Sequence, residues 1–293
     1  MTGAASVERA RSPARFLSLV TFSHTIFALP FALLAAVLAA GGLPQAGTLL
    51  WILVAMVGAR SAAMAFNRIA DREIDAVNPR TQTRDIPAGR VSVGSAAAFC
   101  ALSAAAFVFA AWRLNPLCLA LAPVALLVVL GYSYTKRLTA LSHVVLGLGL
   151  AIAPVGAWIA VTGRFAATPV VLGFSVLFWV AGFDVIYSLQ DEAFDRAHGL
   201  FSLPARVGAR RALDLSTVFH ALSLVLLYGV FVLSGGGPLF GLGVVLAGIF
   251  LVRQHVLVST KDLSRVDGAF FTANGWLSVA VFLCGALDVI LRR

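Results

Sequence analysis

The 293-residue chain is 60% hydrophobic and only 12% charged, whereas soluble domains carry roughly 25% charged residues. Apolar runs of the length that spans a bilayer, about 20 residues, recur from end to end, which excludes an ordinary water-soluble protein. The net charge of +9 alone would suit a nucleic-acid-binding protein. However, the basic residues lie in short segments between apolar runs, where they orient membrane proteins. We therefore expect the partner of this surface to be the lipid bilayer and not nucleic acid.

Apolar runs separated by glycine, proline and polar breaks predict nine transmembrane helices in an all-α integral membrane protein. No linker or low-complexity stretch divides them, so we expect a single domain over 1–293. The first run is longer than the roughly 7–15 apolar residues of a signal peptide, so we expect it to be retained after a flexible cytoplasmic segment, 1–14. The predicted spans are 16–40, 47–70, 92–112, 116–135, 141–162, 168–190, 211–234, 238–258 and 270–291.

The distribution of lysine and arginine predicts the orientation of these helices. With the N-terminus in the cytoplasm, seventeen of the 22 basic residues lie on the cytoplasmic side and four on the far side, while Arg60 lies within the second span. This bias follows the positive-inside rule and supports an odd number of spans. The two longest polar loops, 71–91 and 191–210, then both face the cytoplasm. In a bacterium such a multi-pass protein is expected in the inner membrane.

Each of these two loops is entered through three polar residues spaced by four, which share one face of a helix. Paired carboxylates at the end of a span repel each other and are costly to desolvate, so they require a compensating cation. Carboxylate and carboxamide oxygens suit Mg²⁺, which also bridges to substrate phosphates. The residues are Asn67, Asp71 and Asp75 around the start of the first loop and Tyr187, Asp191 and Asp195 around the start of the second, with Asp184 one turn earlier.

The repetition of this motif four spans apart indicates two pseudo-equivalent halves that converge on one site. A single Asp-x-x-x-Asp is often only a solvated interfacial charge, but two copies flanked by arginine favour a site for metal and diphosphate. After the first motif, Arg80 and Arg84 provide guanidinium groups that bind phosphate oxygens bidentately. Lys136 adds a further cation on the same side of the membrane.

Several residues inside the spans allow more than one interpretation. Arg60 lies about two turns into the second span, where an unpaired charge is costly. Its side chain either snorkels to the interface or binds an anionic group of a substrate, and we favour the second. His143 has no metal-ligand partner nearby in the sequence and is interpreted as packed or interfacial. Gly147 and Gly149 are expected to permit close helix packing.

The two acidic segments resemble the signatures of the UbiA superfamily of intramembrane aromatic prenyltransferases. The 67–75 segment is similar to the first signature, and the 184–195 segment is similar to the second. The run 184–206 is most similar to the 4-hydroxybenzoate polyprenyltransferase branch of quinone synthesis, and also to relatives that prenylate a dihydroxynaphthoate in menaquinone synthesis. One departure from the family pattern is Asp85, which places an acid directly beside Arg84.

The resemblance implies a helical bundle around a central cavity, with Mg²⁺ as cofactor and with a polyprenyl diphosphate and an aromatic acid as substrates. It implies the following ligands of magnesium and diphosphate: Asn67, Asp71, Asp75, Asp191 and Asp195. It further implies that Arg80, Arg84 and Lys136 neutralise the leaving diphosphate. Arg60 would bind the carboxylate of the acceptor, and Asp184 and Tyr187 would line the reacting centre, with Asp184 as a candidate base.

Two alternatives remain open at this point. One is a UbiA relative with a different acceptor, such as a haem, a chlorin or a lipid phosphate. The other is a secondary transporter, in which charged residues usually lie near the bilayer midplane on helices broken by glycine or proline. Here we expect the carboxylates at one membrane face on unbroken segments, which favours the enzyme. The sequence gives no indication of protein partners.

Overall fold

The computed structural model describes residues 25–258, Val266 and residues 272–292, so the predicted segment 1–14 and the start of the first span lie outside the described residues. Within these ranges the chain forms twelve α-helices, and no strand is found in them. In chain order these are α1 Thr25–Ala40, α2 Ala46–Ala70, α3 Arg72–Val77, α4 Val93–Leu114, α5 Pro116–Thr135, α6 Ser142–Thr162, α7 Ala167–Ser188, α8 Glu192–Ala197, α9 Leu203–Val207, α10 Ala209–Leu233, α11 Pro238–Leu257 and α12 Asn274–Leu291.

Eight of the described helices are long and apolar enough to cross a membrane, namely α2, α4, α5, α6, α7, α10, α11 and α12. In α1 the described part of the first predicted span forms a shorter apolar helix of 16 residues. These eight helices together with α1 correspond to the nine predicted spans. The predicted all-α membrane fold is confirmed, and the chain is a multi-pass membrane protein.

The α7 helix lies at the centre of the bundle, because 67% of its most apolar stretch is buried by other helices, more than in any other candidate span of the described chain. Its Trp179 packs among aromatic rings of α1 and α7. The ring centroid of Trp179 lies 5.1 Å from that of Phe31 and 5.0 Å from that of Phe183. Since lipid tails are as apolar as these side chains, close packing of this kind holds the helices together.

The α6 and α7 helices approach each other closely at Gly147. A Cβ atom on this residue would lie 2.3 Å from the carbonyl oxygen of Leu177, which leaves no room for any side chain. At Gly149 the nearest atom to such a Cβ is Val129 Cγ1, at an ordinary contact distance of 3.9 Å. The expectation of close packing is therefore confirmed for Gly147 and is wrong for Gly149.

The helices that carry the acidic motifs are interrupted at Asp71 and at Asp191, the central residue of each motif. The expectation of unbroken segments is therefore wrong. Asp71 has φ −94° and ψ 6° between α2 and α3, and Asp191 has φ −101° and ψ 2° between the 3-10 turn Leu189–Asp191 and α8. This bridge conformation is sparsely populated and recurs at turns and active-site residues. Its occurrence at both equivalent positions supports the internal repeat read from the sequence.

The interruption at Asp71 hardly disturbs the hydrogen-bond ladder. The Asp71 N–H still donates to the Asn67 carbonyl oxygen at 2.9 Å, and the Asp75 N–H donates to the Asp71 carbonyl oxygen at 2.7 Å. The change is thus confined to the dihedral angles of one residue. Because the four-residue spacing is preserved, all three polar residues of the first motif still face the same side.

Candidate active site

The helix ends that carry the two acidic motifs surround a polar cavity of about 270 Å³. All of the residues predicted as site residues line this one cavity, although they come from α2, α3, α7, α8 and the intervening loops. They are Arg60, Asn67, Asp71, Asp75, Arg80, Arg84, Lys136, Asp184, Tyr187, Asp191 and Asp195. The structure therefore brings together both halves of the predicted site.

An apolar cavity of about 420 Å³ adjoins the polar one. It is lined almost entirely by alanine, glycine, aliphatic and phenylalanine side chains, including Phe107 and Phe174. Arg60 and Tyr132 line both cavities and so mark the junction between them. The Arg60 Nε atom is buried without a hydrogen-bond partner in the part of the chain that the structure describes. This side chain thus faces the cavities with an unused donor, an arrangement that suits an anionic ligand.

Each of the four motif aspartates is paired with a different basic side chain. The bases are about a third exposed, whereas three of the four carboxylates are almost fully buried, at 6%, 9% and 0% exposure for Asp75, Asp191 and Asp195. The pairs are Asp71 Oδ1 with Arg137 Nη2 at 2.9 Å, Asp75 Oδ1 with Arg84 Nη1 at 2.6 Å, Asp191 Oδ1 with Arg80 Nε at 3.0 Å, and Asp195 Oδ1 with Lys136 Nζ at 2.8 Å.

Arg80 connects the loop after the first motif to the second motif. Besides its bonds to Asp191, its Nη1 donates to the hydroxyl oxygen of Tyr187 at 3.0 Å, and its guanidinium lies 5.2 Å from the centre of the Tyr187 ring. Its backbone N–H donates to the side chain of Asn78 at 2.9 Å, which fixes the turn that presents it. Residues more than a hundred positions apart are thereby locked into one wall of the cavity.

The first motif shows how burial acts on its carboxylates. Burial raises the pKa of the Asp71 carboxyl above its ordinary value, and the neighbouring charge of Asp75 adds to this effect. The charge of Arg137 and a 2.8 Å hydrogen bond donated by Asn67 Nδ2 act in the opposite direction without cancelling it. A carboxyl in this situation gains from any further cation placed beside it.

Asp85, the departure from the family pattern, pairs with Arg90. Its Oδ1 accepts a hydrogen bond of 2.7 Å from Arg90 Nε, on the outer side of the loop. Arg84 pairs with Asp75 inside the cavity. The sequence places the acid next to Arg84, but the turn directs the two side chains to different partners.

Arg137 and His143 line the polar cavity but were not among the predicted site residues. Arg137 pairs with Asp71, and its position next to Lys136 was the signal that could have identified it. His143 is buried, as predicted, but it also lines the cavity, with Nδ1 lying 2.6 Å from Asp184 Oδ2. No sequence signal indicates this contact, because the two residues are 41 positions apart and belong to different helices.

Comparison with known proteins supports the same interpretation as the geometry of the site. The model of the UbiA prenyltransferase family matches residues 28–277. A 4-hydroxybenzoate octaprenyltransferase of Shewanella frigidimarina is 30% identical over 289 residues, which cover 97% of this chain and 99% of that protein. A protein of the same name from Francisella tularensis subsp. tularensis is 29% identical over 262 residues, covering 89% and 90% of the two chains.

Solved structures give the same result. The apo structure of a UbiA homologue from Aeropyrum pernix K1 has a TM-score of 0.79 at 33% identity and covers 92% of this chain and 98% of that chain. A UbiA homologue from Archaeoglobus fulgidus, bound to DMAPP and Mg²⁺, shares the fold with a TM-score of 0.73 at 19% identity, covering 94% and 99%. These findings set aside the transporter alternative. The chain belongs to the UbiA prenyltransferase family and is a membrane-embedded prenyltransferase.

Proposed function

We propose that this enzyme transfers a polyprenyl group from a polyprenyl diphosphate to a ring carbon of 4-hydroxybenzoate, with Mg²⁺ as cofactor, in quinone biosynthesis. The observation that carries the proposal is the pair of acidic motifs, each with its own bases, around one polar cavity that opens onto an apolar chamber. The names of the relatives from Shewanella and Francisella support the acceptor and the class of donor.

The polar cavity suits a divalent cation and a diphosphate together. Asp75 Oδ2 and Asp195 Oδ2 are buried with no hydrogen-bond partner among the described residues, so these oxygens are available to a metal ion. In the same ranges no group of three or more acidic, histidine or cysteine side chains is gathered closely enough to hold a metal, since each motif carboxylate is directed at its own base. Binding would require the aspartates, with Asn67, to turn from these bases toward the cation.

The basic residues of the cavity then act on the diphosphate. Mg²⁺, when bound, supplies positive charge that stabilises the departing diphosphate. Arg80, Arg84 and Lys136, released from their aspartates, donate charge-assisted hydrogen bonds to the phosphate oxygens. Charge stabilisation of this kind lowers the barrier to breaking the allylic C–O bond. The apolar chamber holds the isoprenoid chain and excludes water that would capture the allylic cation.

The junction of the two cavities suits the aromatic acid. Arg60 would bind the carboxylate of the acceptor through the guanidinium that lacks a partner at Nε. The ring carbon ortho to the phenol attacks the allylic cation and forms the new C–C bond. The C–H bond at that carbon then breaks, its electron pair restores the aromatic ring, and the proton passes to Asp184, which lines the cavity with Tyr187.

The orientation forms part of the proposal. We place the N-terminus and both acidic loops in the cytoplasm, and the protein in the bacterial inner membrane, because seventeen of the 22 basic residues fall on that side. The diphosphate donor would thus enter from the cytoplasmic face.

Purified protein in lipid vesicles tests the proposed reaction directly. It is given Mg²⁺, a polyprenyl diphosphate and a panel of acceptors, and the products are identified by mass spectrometry. The panel contains 4-hydroxybenzoate, a dihydroxynaphthoate and benzoate, the last as a control without the activating hydroxyl. Prenylated 4-hydroxybenzoate is expected. Prenylation of the dihydroxynaphthoate alone would reassign the acceptor, and the absence of both prenylated product and diphosphate release would refute the proposal.

A further inference from the structure

The buried side chain of His143 contacts the carboxylate of Asp184. We propose that His143 is a positioning residue that fixes Asp184 as the proton acceptor, and that it does so as a neutral imidazole in one tautomer. The proposal rests on the proposed function, in which Asp184 receives the ring proton. It assigns a role to a residue that is absent from both acidic motifs and that the sequence interpretation treated as packing.

The tautomer follows from the second contact of the ring. The backbone N–H of Leu203 donates to His143 Nε2 at 3.2 Å. A backbone N–H can only donate, so Nε2 must present its lone pair, and the ring proton must lie on Nδ1. Nδ1 is the atom that lies 2.6 Å from Asp184 Oδ2. An imidazolium would carry a proton on Nε2 and would lose the bond from Leu203, so the contact is a hydrogen bond from a neutral ring to a carboxylate.

The burial of the pair directs the carboxylate into the cavity. The side chain of His143 is 3% exposed, while that of Asp184 is 23% exposed. The carboxylate is therefore the more accessible of the two groups from the polar cavity. With Oδ2 occupied by the ring, Oδ1 is the oxygen left to receive a proton. Tyr132, which lines both cavities, lies within electrostatic range of Asp184 and Arg60, which places Asp184 near the junction assigned to the acceptor.

The same histidine ties the loop after the second motif to this carboxylate. Leu203 is the first residue of α9, and its N–H is one of the donors that a helix leaves unpaired at its start. His143 satisfies that donor from α6, and the neighbouring Phe201 N–H donates to the Lys136 carbonyl oxygen at 2.7 Å. The end of the second loop is therefore anchored to the α5–α6 turn that carries Lys136, the partner of Asp195.

Two substitutions separate the two hydrogen bonds of His143. In His143→Asn the amide nitrogen occupies the place of Nδ1, so the donor to Asp184 is kept and the acceptor for Leu203 is lost. In His143→Gln the amide reaches the place of Nε2, so the acceptor for Leu203 is kept and the donor to Asp184 is lost. A purely structural histidine would make the two variants alike in turnover, or would make His143→Gln the milder one, since it keeps the anchor of the loop.

The test measures kcat, the KM of the donor and the melting temperature for the wild-type protein and both variants in lipid vesicles. His143→Gln is expected to lose about 10- to 100-fold in kcat, the usual effect of removing an orienting partner, with an unchanged donor KM and a wild-type melting temperature. His143→Asn, which keeps the donor to Asp184, is expected to lose clearly less kcat than His143→Gln. Full kcat in His143→Gln, or an equal loss in both variants, would overturn the proposal.

A measurement without turnover separates this proposal from the proposed function. Nitrogen-15 spectra of histidine-labelled protein, with the His143 signals assigned by their loss in His143→Asn, should show a neutral ring protonated at Nδ1. A ring protonated at Nε2 would overturn the proposal even if the enzyme is active. If wild-type protein yields no product with any acceptor while the Nδ1 tautomer is observed, the proposed reaction fails and the hydrogen-bond assignment stands.

Discussion

The substitution Gly147→Ala tests whether the close approach of α6 and α7 positions the active site. A Cβ atom here would lie 2.3 Å from the Leu177 carbonyl oxygen, whereas ordinary van der Waals contacts begin at 3.4 Å. The obstacle is backbone on a packed helix and cannot rotate away, so the two helices must separate by about 1 Å, the difference between these distances. The matched control is Gly149→Ala on the same helix, whose Cβ would meet Val129 Cγ1 at 3.9 Å.

The size of the effect follows from two opposing contributions. Overpacking costs about 1–3 kcal/mol, and the backbone obstacle at Gly147 places this case at the upper end. The better helix propensity of alanine returns about 1 kcal/mol, so the net destabilisation is about 2 kcal/mol. For a chain of 293 residues that corresponds to a fall of about 3 °C in melting temperature. Gly149→Ala should melt at or slightly above the wild-type temperature, because it gains the propensity without the clash.

The same separation should also lower activity. His143 lies one turn before Gly147 on α6, and its 2.6 Å hydrogen bond reaches Asp184 on α7. A displacement of about 1 Å lengthens this bond beyond useful range. Thermal unfolding can be followed with a thiol-reactive dye that labels the three cysteines as they become exposed, and kcat is measured in parallel. A Gly147→Ala protein with wild-type melting temperature and kcat would refute this account of the packing.

Three further predictions concern the site itself. Asp71→Ala and Asp191→Ala should each lower kcat by at least about 100-fold without loss of the folded protein, and activity retained in either would contradict the two-motif site. Arg60→Gln should raise the KM of the aromatic acid by about 10- to 100-fold, the effect of losing a charged hydrogen bond, and an equal rise in the donor KM would contradict its role. Calorimetry should find Mg²⁺ binding at least about 10-fold tighter when an unreactive diphosphate analogue is present, and equal affinity would exclude an exchange of the aspartate–base ion pairs for bonds to the two ligands.

Local patterns allowed much of the fold and of the site to be predicted. Apolar runs and their breaks predicted helices such as 116–135, which the structure reproduces as Pro116–Thr135. The four-residue spacing of Asn67, Asp71 and Asp75 predicted a shared face, and all three line the polar cavity. These features depend only on helix periodicity and on the polarity of a segment, and both can be read from neighbouring residues.

Features that depend on contacts between distant segments could not be predicted. His143 and Asp184 meet because α6 and α7 pack tightly at Gly147, and neither residue contains a signal for the other. Gly147 and Gly149 both lie between two leucines on α6, but only Gly147 faces the backbone of α7. The break at Asp71 also escaped prediction, because aspartate is compatible with both helical and bridge conformations.

The pairing of the motif aspartates determines how the site can accept its ligands. Each buried carboxylate would be costly alone, and a base from a neighbouring loop compensates it at 2.6–3.0 Å. Mg²⁺ binding alone to the aspartates would leave their bases without a counter-charge. A diphosphate binding alone to the bases would leave the aspartates without one. If both bound as proposed, the aspartates would exchange a base for the metal while the bases would exchange an aspartate for a phosphate oxygen, so each charged side chain would keep a partner of opposite sign. Each ligand must therefore increase the affinity of the other, and by the same factor.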